Sequence, residues 1–280
     1  MTARILDGRA LADKLRSELR AARVSLGDRP IRLVSLEVGH NPAAKVYLRG
    51  QRRAAEDVGI ELVEEHLPQD AALATVLGRI TQLNDDQSVA GILVQRPLPP
   101  SIEAREVQGA IKRHKDVEGM NPSNMGAILY HEPALAPCTA SAALRLIQES
   151  GIDLAGAEAV VVGHSEIVGK PIAMFLLHHL STVTVCHVKT RNLAEHTRRA
   201  DILVVAVGKA GLVTGRMIKP GAVVIDIGIN TAADGSVVGD VEYASSAEIA
   251  GWITPVPGGV GPVTVAMLMR NTLRAAGLNV

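Results

Sequence analysis

The sequence has few aromatic residues, few cysteines and no excess charge of either sign. Phe, Trp and Tyr make up 2% of its 280 residues, and 29 basic residues balance 29 acidic ones. A nucleic-acid partner is therefore not expected, because such surfaces need clustered positive charge and, for single strands, aromatic side chains. The two cysteines, Cys138 and Cys186, form neither a disulfide framework nor the spacing of a zinc site.

Long apolar runs are also missing. None approaches the roughly 18 to 20 residues that cross a bilayer, and the stretch from Met1 to Ile5 has no apolar signal-peptide core. We therefore expect a cytoplasmic protein without a membrane partner. Hydrophobic residues still make up 47% of the chain, which suffices for buried cores, and this length predicts about two domains.

The stretch from Ala159 to Pro171 has the pattern of a strand, a glycine turn and a helix. An apolar run leads into Gly163 and Ser165, and an amphipathic run follows Gly169. In dinucleotide folds, the glycines of such a turn let the backbone approach a pyrophosphate, and the helix N-terminus supplies free N–H groups. The spacing Gly-x-Ser-x-x-x-Gly differs from the usual fingerprint, so an ordinary strand–helix turn remains the alternative.

Three more apolar runs follow at the spacing of strand–helix–strand units. They cover residues 183–186, 202–207 and 222–227, and each is followed by a polar residue or a glycine. Four parallel strands of this kind build a sheet whose carboxyl ends form a crevice for a ligand. We therefore predict a Rossmann-type parallel sheet that binds a dinucleotide at this edge.

The first half of the chain also alternates predicted strands and helices. Strands are predicted at residues 31–38, 60–67 and 89–95, Asn41 and Pro42 are typical of a helix start, and a last helix is predicted at 264–276. We therefore predict an α/β protein of two domains with a cleft between them. The N-terminal catalytic domain comprises residues 1–139 plus 264–280, and the dinucleotide-binding domain comprises residues 140–263.

Three clusters in the first half could carry chemistry. Tyr47 and Gln51 are four residues apart on a predicted helix and so share a face. Gln95 stands at the carboxyl end of a predicted strand, where α/β proteins place ligand groups. Asp116 and Glu118 lie in a predicted loop. The alternatives are, in the same order, a half-buried tyrosine with a polar neighbour, a strand-end cap and a solvated charged turn.

Together these segments resemble the methylene-tetrahydrofolate dehydrogenase/methenyl-tetrahydrofolate cyclohydrolase family. The resemblance covers nearly the whole chain, and its most specific part is the run of proline and glycine between Thr254 and Pro262. The other matching segments are 5–8, 38–39 with 41–43, Tyr47 with 54–59, 91–95 with 97–99, 115–117, 137–139, 163–171 and 239–241.

This resemblance implies two reactions in one pocket. A hydride passes from the bridging methylene carbon of the folate to NADP, or to NAD as the second option, and water then opens the methenyl ring to formyl-tetrahydrofolate. The resemblance also implies a homodimer. It assigns the catalytic positions to Tyr47, Gln51, Gln95 and Glu118.

The binding positions follow from the same resemblance, and no metal ion is expected. The cofactor positions are Gly163, His164, Ser165, Ile167, Val168, Gly169, Val188, Lys189 and Ile229. The folate positions are Tyr47, Gln95, Glu118, Pro257, Gly258, Gly259, Pro262 and Thr264.

Two catalytic positions depart from the family pattern. Gln51 stands where the family has a lysine that activates hydrolysis, and Glu118 stands where it has an aspartate that holds the pterin. An amide neither takes a proton nor carries charge at neutral pH, whereas hydride transfer needs mainly alignment of the reactants. We therefore expect a dehydrogenase with weak or absent cyclohydrolase activity. The alternatives are a fully bifunctional enzyme and a non-catalytic folate-binding relative.

The cofactor positions depart from the family pattern as well. His164 and Val188 stand where many members have an arginine and a serine that hold the 2′-phosphate of NADP. Lys189 and Arg191 could substitute, because either cation binds phosphate. NADP is expected from the habit of the family, with selectivity that is weak or turned toward NAD.

Overall fold

The computed structural model describes residues 2–39, 42–131 and 134–280, except for the side chains of residues 42–46. Helices and strands alternate along most of the described chain. In chain order they are β1 (Arg4–Ile5), α1 (Gly8–Arg23), β2 (Arg32–Val38), α2 (Pro42–Val58), β3 (Glu61–Leu67), α3 (Leu73–Asp85), β4 (Val89–Val94), α4 (Ala104–Ala110), α5 (Pro122–Leu129), α6 (Cys138–Glu149), β5 (Glu158–Val162), α7 (Gly169–His178), β6 (Thr182–Cys186), α8 (Leu193–Thr197), β7 (Ile202–Val205), β8 (Val223–Asp226), β9 (Asn230–Thr231), β10 (Val237–Val238), α9 (Tyr243–Ile249), β11 (Trp252–Ile253) and α10 (Val260–Ala275).

The chain divides into two compact units. The six-stranded unit comprises the residues up to Ala12 and Thr139–Thr264, and the three-stranded unit comprises Asp13–Cys138 and Val265–Val280. We expected the residues before 13 to belong with the catalytic domain, and the structure corrects this. They belong to the six-stranded unit because β1 pairs in parallel with β11, a contact between segments that are remote in sequence.

The six-stranded unit is built on a parallel sheet with the strand order β1-β11-β8-β7-β5-β6. Strands β7 and β8 are buried along their whole length, as expected for apolar strands covered on both faces. The chain passes from β5 to β6 on one side and then to β7 on the other. This reversal is the topological switch point at which such sheets bind ligands, so the structure confirms the predicted Rossmann-type sheet.

The three-stranded unit contains a smaller parallel sheet with the order β3-β2-β4. Its strands begin and end within one residue of the predicted ones. The helices α3 and α4 pack on it through a buried apolar cluster that includes Leu36, Ile80, Ile92 and Val107. Because all three strands run in the same direction, the residues that follow β4 lie at the same edge as the ends of β2 and β3.

Several helix boundaries follow from local chemistry. The proline at position 42 occupies the first turn of α2, although its proposed cap, Asn41, lies outside the described residues. The last helix begins at Val260, four residues before the predicted start, because Pro262 is tolerated in a first helical turn.

Among the described residues, no helix has the length and apolar character needed to cross a membrane.

Candidate active site

Three buried polar side chains meet near the carboxyl end of the small sheet. Gln95 follows β4 directly, and its Nε2 donates to Oγ of Ser35 in β2 and to Oε1 of Gln51 in α2, at 2.9 Å each. All three residues are buried, so the bonds satisfy groups that would otherwise be costly to bury. The structure thus joins the predicted Gln51 and Gln95. Sequence reasoning missed Ser35, because a small residue within an apolar strand carries no signal of its own.

Tyr47 lies one helical turn before Gln51 in α2. The tyrosine has 37% of its surface exposed, whereas Gln51 has 2%. Residues four apart share one flank of a helix, so this flank presents an accessible phenol next to a buried amide. A phenol can stack on a flat ligand and can also hydrogen-bond to it.

Glu118 lies in a loop that hydrogen bonds of its neighbours Lys115 and Asp116 hold in place. The carboxylate of Asp116 accepts a hydrogen bond from the backbone N–H of Asn121 at 2.6 Å and another from Nδ2 of Asn124 at 2.8 Å. The ammonium of Lys115 donates to two backbone carbonyls, at 2.6 and 3.0 Å. Both Asp116 and Lys115 are buried, so this segment is not the solvated charged turn that was the alternative.

The pKa of the Glu118 carboxyl group lies near neutral pH. Burial raises its pKa to about 7, the negative charge of Asp116 adds to the rise, and the positive charge of Arg96 opposes it. Arg96 comes directly after Gln95 in the chain. Of these two residues at the end of β4, Gln95 bonds to Ser35 and Gln51, whereas Arg96 acts on the charge of Glu118. At neutral pH the carboxyl can therefore either accept a proton or give one up.

The last helix, α10, supports the loop that contains Glu118. Nδ2 of Asn271 donates to the backbone carbonyls of Val117 and Ala136, at 2.8 Å each, and the thiol of Cys138 lies 3.3 Å from the Val117 carbonyl. Burial raises the pKa of the Cys138 thiol, so it stays protonated and is not a nucleophile. The backbone just before Glu118 is thereby held in place.

The predicted glycine turn of the six-stranded unit lies between β5 and α7. A Cβ atom on Gly163, whose φ is +123°, would stand 2.2 Å from the carbonyl oxygen of Ala206, and one on Gly169 would stand 2.1 Å from the carbonyl oxygen of Gly163. Oγ of Ser165 accepts from the N–H groups of Val168 and Gly169, at 3.2 and 3.4 Å. This tight turn fits a pyrophosphate, because glycine at both positions lets backbone and ligand approach closely.

The other predicted cofactor residues lie at or after the ends of β5, β6 and β8. The rings of His164 and His187 meet edge to face with their centroids 5.4 Å apart. Exposed apolar side chains at a sheet edge of this kind are suited to covering the flat rings of a ligand. The exposed apolar residues among them are Ile167, Val188 and Ile229, and the exposed polar ones are His164 and Lys189.

Two buried aspartates, absent from the predicted site, hold the loops after the strands of this sheet. Asp226 ends β8 and Asp240 follows β10, and burial raises the pKa of Asp226 to about 6. The donors to Asp226 are the N–H groups of Gly228, Asp240 and Val241, at 2.9–3.0 Å. The donors to Asp240 are the N–H groups of Val207, Gly208 and Lys209 and Nδ2 of Asn230, at 2.6–2.9 Å.

The run of proline and glycine before α10 packs tightly against the start of α1. A Cβ atom on Gly8 would stand 1.7 Å from the carbonyl oxygen of Gly259, and Gly258 has a φ of +112°. The peptide bond before Pro257 is cis. Only glycine fits these backbone positions, so the loop has one defined shape.

Two further predicted folate residues lie inside α10. Pro262 is half-buried in the first turn, and Thr264 is buried. The hydroxyl of Thr264 donates to the carbonyl of Val260 at 3.1 Å, a bond within the helix that leaves its oxygen as an acceptor.

Two family models match the chain. The model of the tetrahydrofolate dehydrogenase/cyclohydrolase catalytic domain matches residues 6–118, and that of the NAD(P)-binding domain of the same family matches residues 137–280. The bifunctional protein FolD 3 of Roseobacter denitrificans is 52% identical over 276 residues, which cover 97% of this chain and 95% of the relative. The bifunctional protein FolD of Bordetella avium is 52% identical over 279 residues, 99% of this chain and 98% of that one.

Solved structures give the same result. The bifunctional FolD of Campylobacter jejuni has a TM-score of 0.94 at 40% identity, with 98% of each chain covered. The methylenetetrahydrofolate dehydrogenase-cyclohydrolase of Trypanosoma brucei, complexed with NADP and an inhibitor, has a TM-score of 0.93 at 37% identity, with 98% of this chain and 97% of that one covered. The similarity therefore extends over both units.

Proposed function

The chain belongs to the tetrahydrofolate dehydrogenase/cyclohydrolase family, and we propose that it is a bifunctional enzyme of one-carbon metabolism. It oxidises methylene-tetrahydrofolate to methenyl-tetrahydrofolate with NADP or NAD, and then hydrolyses the product to formyl-tetrahydrofolate. Support for both steps comes from 52% identity, over nearly the full length, to relatives named bifunctional. The expectation of a weak or absent second step gains no support from these relatives.

The observation that carries the dehydrogenase step is the glycine turn between β5 and α7. It lies at the switch point of a parallel sheet, within the residues that match an NAD(P)-binding domain. When bound, the nicotinamide ring accepts the hydride. The chain contributes alignment, through the close approach that the glycine turn allows and through the loops that Asp226 and Asp240 hold.

On the folate side, the proposed roles divide between an aromatic surface and a carboxyl group. Tyr47 offers an accessible ring against which the pterin stacks, and Glu118 accepts hydrogen bonds from the N–H groups of the pterin edge. The buried pair of Gln95 and Gln51 supports the helix flank that carries the tyrosine. Each role needs placement rather than proton transfer, which suits hydride transfer.

For the hydrolytic step, we assign the base to Glu118. Among the four residues assigned as catalytic, Gln51 and Gln95 are amides, and a phenol ordinarily titrates at about 10. The oxygen of water forms a bond to the methenyl carbon while one of its protons passes through intervening water to the Glu118 carboxylate, which the pterin edge keeps away from direct contact with that carbon. One carbon–nitrogen bond of the ring then breaks as the carbonyl double bond forms. The released nitrogen receives the proton from Glu118, and the remaining hydroxyl proton passes to solvent.

A dehydrogenase that lacks the hydrolytic step is the second candidate. One observation favours it: at position 51 the chain has an amide whose oxygen is already engaged by Gln95, at 2.9 Å. Such an amide supplies neither a base nor a cation to the reaction.

The test supplies methylene-tetrahydrofolate with NADP or NAD and follows reduced cofactor and methenyl product at separate wavelengths. Formation of reduced cofactor followed by decay of the methenyl product faster than in buffer supports the bifunctional proposal. Decay at the buffer rate would leave the dehydrogenase alone. If folded protein binds the folate but forms no reduced cofactor with either nucleotide, the enzyme proposal fails.

From the family resemblance we also propose a homodimer in the cytoplasm. Sedimentation of the protein at micromolar concentration measures the oligomeric state. A monomer there would contradict the dimer.

A further inference from the structure

A serine interrupts the apolar pattern of β2 in the three-stranded unit. Its neighbours Val34 and Leu36 belong to the apolar cluster that α3 and α4 cover. Because side chains alternate along a strand, Ser35 points to the opposite face of the sheet. The residue is 2% exposed, and a hydroxyl is costly to bury unless it is hydrogen-bonded. Packing alone therefore does not account for a hydroxyl at this position.

The hydrogen-bond partner of Ser35 is the amide of Gln95. Nε2 of Gln95 carries two hydrogens, and its two acceptors are Oγ of Ser35 and Oε1 of Gln51, at 2.9 Å each. Both acceptors belong to buried residues, so both hydrogens of the amide are turned toward the interior. The carbonyl oxygen, on the other branch of the same planar group, points away from these acceptors.

This carbonyl oxygen, Oε1 of Gln95, is available to a ligand. It accepts no hydrogen bond from the described residues, and it is not among the atoms there that are both buried and unpaired. It therefore keeps contact with solvent. The residue directly follows β4, at the carboxyl end of the strand, where α/β proteins place the groups that touch a ligand.

We propose that Ser35 is a positioning residue: together with Gln51 it holds the amide of Gln95 so that Oε1 faces the folate and accepts a hydrogen bond from the water that attacks the methenyl carbon. An amide oxygen accepts a hydrogen bond without taking the proton. One hydrogen of the water is thus held by Gln95 while its other proton passes toward Glu118. The inference rests on the hydrolytic step of the proposed function and deepens it.

The serine and the two amides orient this water without any charge. Neither a hydroxyl nor an amide gains or loses a proton near neutral pH, so the orientation does not depend on pH. Without Ser35, one hydrogen of the Gln95 amide loses its acceptor and the amide is free to turn. A misplacement of about 1 Å costs about 10²-fold in rate. Loss of the serine should therefore slow hydrolysis and leave its pH profile, which belongs to Glu118, in place.

The first measurement follows the two Nε2 hydrogens of Gln95 by NMR in the protein without ligand. Both should exchange with solvent at least about fivefold more slowly than those of the exposed Gln87, the factor that one hydrogen bond is worth. In Ser35→Ala one of the two should lose this protection, whereas Ser35→Thr, which keeps the hydroxyl, should retain it. The resonances are assigned by their absence from Gln95→Met.

The second measurement is the steady-state kinetics of both reactions. Ser35→Ala should lower kcat for hydrolysis of methenyl-tetrahydrofolate by about 10–10²-fold, with the rate of hydride transfer unchanged, and Ser35→Thr should recover most of this loss. The matched control is Thr272→Val, which removes another buried hydroxyl of the same unit, one that donates to the carbonyl of Leu268 within α10 at 2.9 Å. Both of its reactions should follow the wild type.

Three results would overturn the inference. The first is fast exchange of either Nε2 hydrogen in the wild type, a measurement that needs no variant. The second is a Ser35→Ala variant that hydrolyses as fast as the wild type, and the third is a loss that hydride transfer shares equally. Fast exchange beside brisk hydrolysis would leave the proposed function standing. Protected hydrogens beside hydrolysis at the buffer rate would instead contradict the hydrolytic step, and with it the water that Gln95 holds.

Discussion

Nε2 of Gln95 donates to Oε1 of Gln51 at 2.9 Å, and both side chains are buried. The bond pairs a buried donor of Gln95 with a buried acceptor of Gln51. A buried donor left unpaired costs about 1–3 kcal/mol. The pair is therefore part of the interior of the three-stranded unit. Under the proposed function, substitutions at position 51 change the side chain next to the folate and also the partner of Gln95.

Replacement of Gln51 by lysine should raise the rate of methenyl-tetrahydrofolate hydrolysis. A lysine on this flank of α2 is partly desolvated, which lowers its pKa and gives a population of free base. General acid–base help of this kind is worth about 10²–10⁴-fold. The amide of Gln95 can rotate to turn its oxygen toward the new ammonium. The measurement is the decay of the methenyl compound above the buffer rate.

The control for this change is Gln51→Met, which removes the amide without adding a cation and should give no gain. If wild type already hydrolyses as fast as the lysine variant, position 51 does not limit the step. The double variant Gln51→Lys/Glu118→Asp should exceed the product of the two single effects, because both positions are proposed to act on one ligand and such residues are coupled.

The hydrolysis rate of the wild type should rise as the pH increases through about 7. A base must be deprotonated to accept a proton from water, and burial raises the pKa of Glu118 to about 7. Glu118→Gln should lose this pH dependence, with a rate lower by about 10²-fold or more. Glu118→Asp keeps the carboxyl group and should retain part of the rate. A glutamine variant with an unchanged pH profile would assign the base elsewhere.

The same carboxyl group should also make stability depend on pH. The pKa of Glu118 rises from 4.5 to about 7 in the folded protein, so between these values the folded state binds more protons than the unfolded state. The contribution of this group to stability is therefore complete below the lower value and is lost as the pH rises through the upper one. Urea unfolding at a series of pH values should show a decline in the wild type that Glu118→Gln lacks.

Asp240→Asn should weaken both the six-stranded unit and its binding of NADP. The carboxylate of Asp240 accepts three backbone N–H groups and the amide of Asn230, and an asparagine would turn its own donors toward some of them. Loss of hydrogen bonds to a charged group costs about 1.5–3 kcal/mol each. Unfolding in urea and calorimetry with NADP measure the two effects. Asp234→Asn, at an exposed position in the same unit, serves as the control.

Lys189→Ala should weaken the binding of NADP and leave that of NAD unchanged. The side chain is exposed just beyond β6, and a charged contact to the 2′-phosphate is worth about tenfold or more in affinity. Arg191→Ala tests the other substitute cation in the same way. Equal losses for NADP and NAD would place the lysine away from the 2′-phosphate.

The predicted strands and most of the longer helices could be read from the sequence because each has its own apolar period and its own glycine or proline at the ends. The short strands β1 and β11 could not, since two residues carry no period and their pairing joins distant segments. The helix Pro122–Leu129 was missed although Asn121 caps it, its side chain accepting from the N–H of Ser123 at 2.8 Å. That signal was local and available.

The candidate site, too, could be predicted from the sequence only in part. Gln51 and Gln95 could be placed from helix and strand position, but their mutual hydrogen bond depends on how α2 packs beside β4. The raised pKa of Glu118 arises from burial and from the negative charge of Asp116, against the opposing charge of Arg96, and the spacing of residues reveals none of these. Asn271 lies far along the chain from the loop that it supports, so no local pattern could have linked the two.

The parallel pairing of Arg4–Ile5 with Trp252–Ile253 also sets an order of events during synthesis. The residues of β1 leave the ribosome long before β11 exists, so the edge of the larger sheet stays open while most of the chain is made. Its neighbour Gly8 must likewise wait for the loop around Gly259. Contacts between such distant segments are slow to form, because a long loop must close first. We therefore expect nascent chains that stop before residue 252 to expose the edge of β8 and to depend on chaperones until synthesis passes that point.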